Sequence, residues 1–240
     1  MRKFIAVASL ITIVAGGLVL AAPVAKQKEE KLGPPTEKEL ATAENNLKQI
    51  ALAWHNYESN HGVLPANVHN KDNKAILSWR VQILPYIEQD DLYKQFKLDE
   101  AWDSAHNKKL IDKMPKLFAP VRVKADSGLT FYQSFCGKRA LIQGNRKLTF
   151  AVIPDGTSNT FMIAEAAKPV IWTQPVDLPF DGKDVPALGG HFDGKFHAAF
   201  CDGSVFRYKK GIDAELLGRL MDPADGQVVD TRNAVDTDKE

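Results

Sequence analysis

The chain has no surplus of charge of either sign. Thirty-one basic and 30 acidic residues leave a net charge of +1 over 240 residues. No field of one sign is available to hold a phosphate backbone, which excludes nucleic acid as the working partner class. Short basic clusters such as Lys108-Lys109 and Lys209-Lys210 read as solvated faces. Cysteine is scarce too, with only Cys136 and Cys201. They are either one disulfide, as an exported chain permits, or two buried thiols, and spacing alone leaves both open. No two histidines stand at helical metal-binding spacing, and no Asp-Gly site carries the alternating acids of an EF-hand loop. No serine sits in a nucleophile elbow, and no internal repeat is visible.

What is present begins with one apolar run. Arg2 and Lys3 precede Phe4–Ala22, a hydrophobic stretch ending in small residues. This is the form of a signal peptide over residues 1–22, with Val19-Leu20-Ala21 as a cleavage site. The alternative is an uncleaved anchor, so any membrane contact runs through Met1–Ala22. No cysteine lies there for a lipid anchor. Export places the chain in the periplasm or cell envelope. Residues 23–36 are charged, then proline-broken, and form a linker.

Glu37–Asn60 carries Leu40, Ala43, Leu47, Ile50, Ala51, Trp54 and Tyr57 on one helical stripe. Thr36 and Glu39 make a capping box, and Gly62 is the C-cap. The stripe needs an apolar surface to cover it. Val63–Ala75 reads as loop. Leu77–Phe96 reads as two short helices or one kinked at Pro85. Ser104–Met114 reads as another short helix.

The period then changes. Leu129–Cys136, Leu148–Ile153 and Thr160–Glu165 are rich in aromatic and β-branched residues and read as strands. Lys168–Pro186, with four prolines, reads as loop. Phe196–Cys201 and Ser204–Tyr208 flank Asp202-Gly203, which predicts a hairpin with both turn residues at positive φ. Ile212–Met221 closes as a helix, and Asp222–Glu240 reads as a polar, frayed tail. Helices first and strands later predict an α+β fold: a long N-terminal helix against an antiparallel sheet. One domain spans 37–225, with a flexible tail at 226–240.

Six blocks then carry a resemblance: NNLKQIALAWHNYESNHGVLP, SWRVQILPYIEQDDLYKQF, WDSAHNKKL, PDGTSNTFMIAEA, WTQPVDLPFD and LGGHFDGKFHAAFCDGSV. In this order, between Asn45 and about Val229, they closely resemble the planctomycete family called domain of unknown function 1559. Many members look like type IV pilin or pseudopilin relatives, so the resemblance implies a helical spine with a sheet on it and an envelope setting. It implies no reaction. Two departures stand out. The prepilin start of that family is absent. In the family nine residues separate a histidine from a following Asp-Gly, whereas ten separate His191 from Asp202, an insertion that fits a bulge near Asp193-Gly194.

The chemistry-bearing residues cluster at Gly189–Ser204. His191, Asp193 and Asp202 could supply an imidazole and carboxylates to a ligand or metal. Turn chemistry explains the same residues without a ligand. The pseudopilin likeness adds a calcium possibility on Asp181, Asp193 and Asp202. Trp172, in the proline-rich loop, is the candidate exposed aromatic for a glycan. Trp54 and Trp79 belong to helix faces and core. Hydrolysis could be built only from Ser204, His191 and Asp202, or from Glu165 with Asp155. No catalytic residue and no cofactor are assigned. The expectation is an exported, non-enzymatic structural or interaction protein whose partners are other envelope proteins. The alternative is a binding module for a small ligand, glycan or metal, built from the Trp172 loop and Gly189–Asp202.

Overall fold

A computed structural model describes residues 33–123, 126–189, 191–227 and 229–236. The expected signal peptide, most of the linker and residues 237–240 lie outside these. Gly33–Glu240 cluster as one compact unit. Among the described residues no helix is long and apolar enough to cross a membrane.

The long helix α1 runs Glu37–His61. Both bonds of the capping box form between Thr36 and Glu39, which satisfies amide groups that a first helical turn leaves free. Gly62 ends the helix at φ 68°, a left-handed position that costs glycine little. Leu40, Ala43, Leu47, Ile50, Ala51, Ala53 and Trp54 are buried, and Tyr57 is half-buried.

Between residues 63 and 77, read mostly as loop, lies a small hairpin, β1 (Val68–His69) with β2 (Ala75–Leu77). The 77–96 stretch breaks into three turns: α2 (Trp79–Gln82), a 3₁₀ turn over Leu84–Ile87, and α3 (Asp90–Tyr93). Pro85 sits in the first positions of the 3₁₀ turn, where its missing N–H is harmless. The expected helix at 104–114 is a 3₁₀ helix over Asn107–Lys113. The side-chain amide of Asn107 donates to the carbonyls of Lys97, Glu100 and Ala101, which anchors this helix to the preceding loop.

The main sheet contains β3 (Leu129–Gln133), β5 (Phe161–Ile171), β7 (Phe196–Phe200) and β8 (Val205–Tyr208) in the order β3-β5-β7-β8, all antiparallel. A parallel pair, β4 (Phe135–Cys136) with β6 (Leu178–Pro179), stands apart. Helix α4 (Ala214–Met221) follows β8. The sheet is covered on both faces. Leu47, Ile50, Ala51 and Trp54 of α1 share one core with Met162, Ile163, Ala199 and Val205. Leu217, Leu220 and Met221 of α4 share the other with Phe161, Ala164, Phe196, Phe200 and Tyr208. Two covered faces explain why all five residues of β7 are buried.

Four expectations need correction. Leu148–Ile153 is not a strand: Phe150–Val152 is a 3₁₀ turn and Val152 is exposed. Strand propensity needs an open edge to pair with, and here the backbone closes on itself through Val152 N–H to Thr149 O. β5 runs on to Ile171, into the region read as loop. Pro169 is tolerated because the register against β3 shifts there, between Thr130 opposite Val170 and Tyr132 opposite Glu165. In the β7–β8 connection only Gly203 has positive φ, 86°, so Asp202 does not share that conformation. The connection is a three-residue loop with glycine last. The Asp-Gly pair with both residues at positive φ is Asp193-Gly194, closed by Lys195 N–H to Phe192 O at 3.0 Å. Finally, within the stretch read as a frayed tail, residues 231–236 pack against the sheet. Val235 bridges Tyr208 beside β8, and Ala234 and Asp236 are buried.

Candidate functional site

The polar cluster with most chemical potential centres on Glu165, mid-way along β5. Its side chain is fully buried, as are those of His191 and His197 to within 4%. Glu165 Oε2 accepts from the His197 backbone N–H at 2.8 Å and lies 2.9 Å from His197 Nδ1. Because a carboxylate only accepts, Nδ1 carries the proton in that bond. Glu165 Oε1 stands 3.5 Å from His191 Nε2, an ion-pair separation too long for a strong hydrogen bond. Burial alone would push the Glu165 carboxyl up. The hydrogen bonds and charges of His191 and His197 outweigh it and hold the group down at about 2.

The local chain explains this placement. Gly189 has φ 72° and donates its N–H to Glu165 O at 2.9 Å. The Asp193-Gly194 turn then reverses the chain, so that His191 and His197 reach the same carboxylate from its two arms. Aromatic rings close the space: Phe131 lies 4.3 Å from the His191 ring, and Phe192 lies 5.3 Å from the His197 ring. Leu40 and Ala43 of α1 cover Phe192. Arg122 donates to His191 O at 3.0 Å and to Gly33 O, and approaches Glu39 at 3.4 Å. The start of α1 is thereby tied to the histidine loop.

A carboxylate orienting an imidazole is one half of many acid–base sites. Here the rings and α1 shut the pair from solvent. Among the described residues no three His, Cys, Asp or Glu side chains are placed to hold a metal. The arrangement does the work of a buried, charge-assisted clasp.

A second clasp was not foreseen from the sequence. Arg80, fully buried, donates to Tyr132 O at 2.9 and 2.8 Å, to Ser78 Oγ at 2.7 Å and to Asp177 Oδ1 at 3.0 Å. Trp79 Nε1 and Ser134 N–H reach the same Asp177 oxygen, each at 3.0 Å. This accounts physically for the Ser78-Trp79-Arg80 block: an N-cap, an indole donor and a guanidinium converge on the loop before β6.

The candidate residues do not converge. Trp172 is fully buried, stacked near Phe118 at 6.0 Å, and its indole N–H donates to Ile111 O. It follows the end of β5 that pairs with Leu129, whereas Asp202 adjoins the other end, where Phe161 faces Phe200. Ten residue steps along β5 separate those ends, roughly 30 Å of strand. His191 lies in the clasp, and Asp193 is exposed in its turn. Asp202 Oδ1 accepts from Ser204 N–H and Oγ, so both serve the hairpin loop. Asp155 accepts from the N–H groups of Asp225 and Gly226, not from anything near Glu165. Asp181 accepts from Lys138 N–H. Cys136 and Cys201 are both free thiols, so of the two readings the disulfide is not formed. Burial pushes the Cys136 thiol up to about 11 and Cys201 higher still.

An open groove of about 500 Å³ runs between α1, at Lys38, Thr42, Asn46 and Gln49, and the segment around Lys116 and Pro120. None of the candidate residues lines it. Sequence reasoning missed His197 and Asp177. The available signals were a histidine inside an apolar strand and an aspartate inside a proline-rich loop, and neither names its partner.

No curated protein and no solved structure matches the chain. Residues 41–135 match the family model described as Protein of unknown function (DUF1559). That span takes in α1 from Ala41 onward, the Ser78-Trp79-Arg80 turn and β3, while the later blocks of the resemblance fall outside it. Over residues 41–135 the chain is thus similar to the DUF1559 family, in agreement with the resemblance carried by the first blocks.

Proposed function

We propose that this chain is an exported, non-enzymatic structural and interaction protein of the cell envelope, built on a pilin-like plan. One observation carries the reading. The groups with most chemical potential, Glu165, His191, His197, Arg80 and Asp177, are all buried and engaged with one another. They are spent on holding loops to the sheet. An α1 spine with a four-stranded antiparallel sheet against it fits the architectural part, and the apolar run at residues 4–22 supports export.

The module alternative draws no support from Trp172, whose ring is enclosed by Phe96 and Phe118. The test is fractionation of the source cells together with native mass spectrometry of envelope extract. Recovery with envelope proteins in a defined complex is the expected result. Recovery as a cytosolic monomer, with turnover in a hydrolase panel, would overturn the reading. A thermal-shift screen against sugars and divalent ions should leave the midpoint unmoved, since binding to the native state raises it.

A further inference from the structure

The sheet has one edge whose closure is supplied late in the chain. β8 is the last strand in the order, and its inner side pairs with β7 from Phe196 opposite Tyr208 to Ala199 opposite Val205. Its outer side is met by residues 231–236. Lys209 N–H donates to Ala234 O at 3.0 Å, Asp236 N–H donates to Arg207 O at 2.8 Å, and Val235 faces Tyr208 as an antiparallel bridge. This short strap has the hydrogen-bond pattern of an added strand. Open edges are templates for pairing with another chain, and covering them is how folded proteins suppress it.

The strap is anchored by charge at its far end. Asp236 is 7% exposed and stands 2.7 Å from Lys195 Nζ and 2.9 Å from Arg207 Nε. Ala234, 8% exposed, enters the core beneath α4. The chain leading to it is tied down as far as Gly226. Asp155 holds the N–H groups of Asp225 and Gly226 at 2.7 and 3.0 Å, and Gly226 has φ 73°. From Gly226 to the Thr231 turn only a few residues connect a fixed point to the strap. Phe206, on the same edge strand, is 43% exposed, so the ground beside the strap is apolar.

We propose that the β8 edge is a strand-acceptor site, filled in the single chain by its own residues 231–236, and that its partner is the same segment of a second copy. Every contact the strap makes in its own chain is available to it in a neighbour. Exchange therefore costs the freedom of two molecules and a change of angle at the short connection, without new complementarity. A short, tethered connection next to an exchangeable element is the arrangement that favours such swapping. This names the contact through which the scaffold of the preceding section would associate, and it rests on that reading only for its purpose in the cell.

The test uses the full chain and reads mass in solution by light scattering after size exclusion. Deleting residues 227–229 shortens the connection so that the strap no longer reaches its own β8 but still reaches a neighbour's. The expected result is a dimer at micromolar concentration, with a larger dimer fraction than the unaltered chain shows at the same concentration. A folded monomer would overturn the proposal. Should the deletion misfold, Asp236→Ala in the full chain is the second variant. It loosens the strap, and a labelled peptide of sequence VDTRNAVD, residues 229–236, is then added. Saturable binding, at least 10-fold tighter than to the unaltered chain, is expected. Equal or absent binding overturns the proposal. Failure here leaves the envelope reading untouched, because contacts with other proteins do not require self-association.

Discussion

Arg80 and Asp177, 97 residues apart in sequence, meet as an ion pair with neither side chain exposed. The guanidinium also lies over the Trp79 ring, 4.6 Å from its centroid. Arg80 thus locks the turn after β2, the end of β3 and the loop before β6 into one unit. Removing one partner strands a charge where water cannot reach it. Asp177→Ala should therefore cost about 3–5 kcal/mol in denaturant unfolding. The double variant Arg80→Met with Asp177→Leu should cost clearly less than the two single changes added together. Additive losses would show that the pair acts as two independent contacts.

Glu165 sets an acid limit on stability. Its folded carboxyl is held down at about 2, below the ordinary unfolded value of about 4.3. The stabilisation is therefore complete above the unfolded value, and it is lost as pH falls from about 5 towards 2. The groups facing it, His191, His197 and Tyr132, belong to the loop, β7 and β3. Glu165→Gln should flatten the dependence of unfolding midpoint on pH in that window. An unchanged slope would assign acid sensitivity to other carboxylates.

Gly189 is fixed by contact as well as by conformation. A Cβ there would lie 2.5 Å from Lys195 O, and φ is 72°. Gly189→Ala should destabilise the chain by roughly 1–3 kcal/mol, because both strain and a backbone clash arise. Amide exchange should rise first in residues 191–197. Uniform exchange across the sheet would separate this turn from the histidine clasp.

At the start of α1, Thr36→Ala removes the acceptor for Glu39 N–H at 3.3 Å and leaves the helix end open. A loss of about 1 kcal/mol is expected, which lowers the thermal midpoint by about 2–4 °C in a domain of this size. Thr36→Ser should restore most of it.

The two thiols should behave as buried ones. Ellman titration of the native chain should leave Cys201 unreacted and Cys136 slow, since burial raises both thiols. Both should react at once in guanidinium, and reducing and non-reducing gels should match. A mobility difference would show an oxidised pair.

The sequence alone determined the elements whose signals are local. α1 was legible because its apolar stripe, its Thr36–Glu39 box and Gly62 lie within a few residues of one another, and so were β7, β8 and α4 from their period and turn residues. The α+β class followed from their order. Tertiary structure decided whatever depended on a distant partner. Leu148–Ile153 has strand composition but finds no free edge, while Pro169 stays in β5 because β3 skips register beside it. Trp172 looked available in a proline-rich loop until Phe96 and Phe118 enclosed it. His197, Asp177 and the strap at 231–236 gained their roles only when β5, α2 and β8 arrived beside them. A buried polar group is satisfied by whichever chain folding brings near, and local sequence does not encode that neighbour.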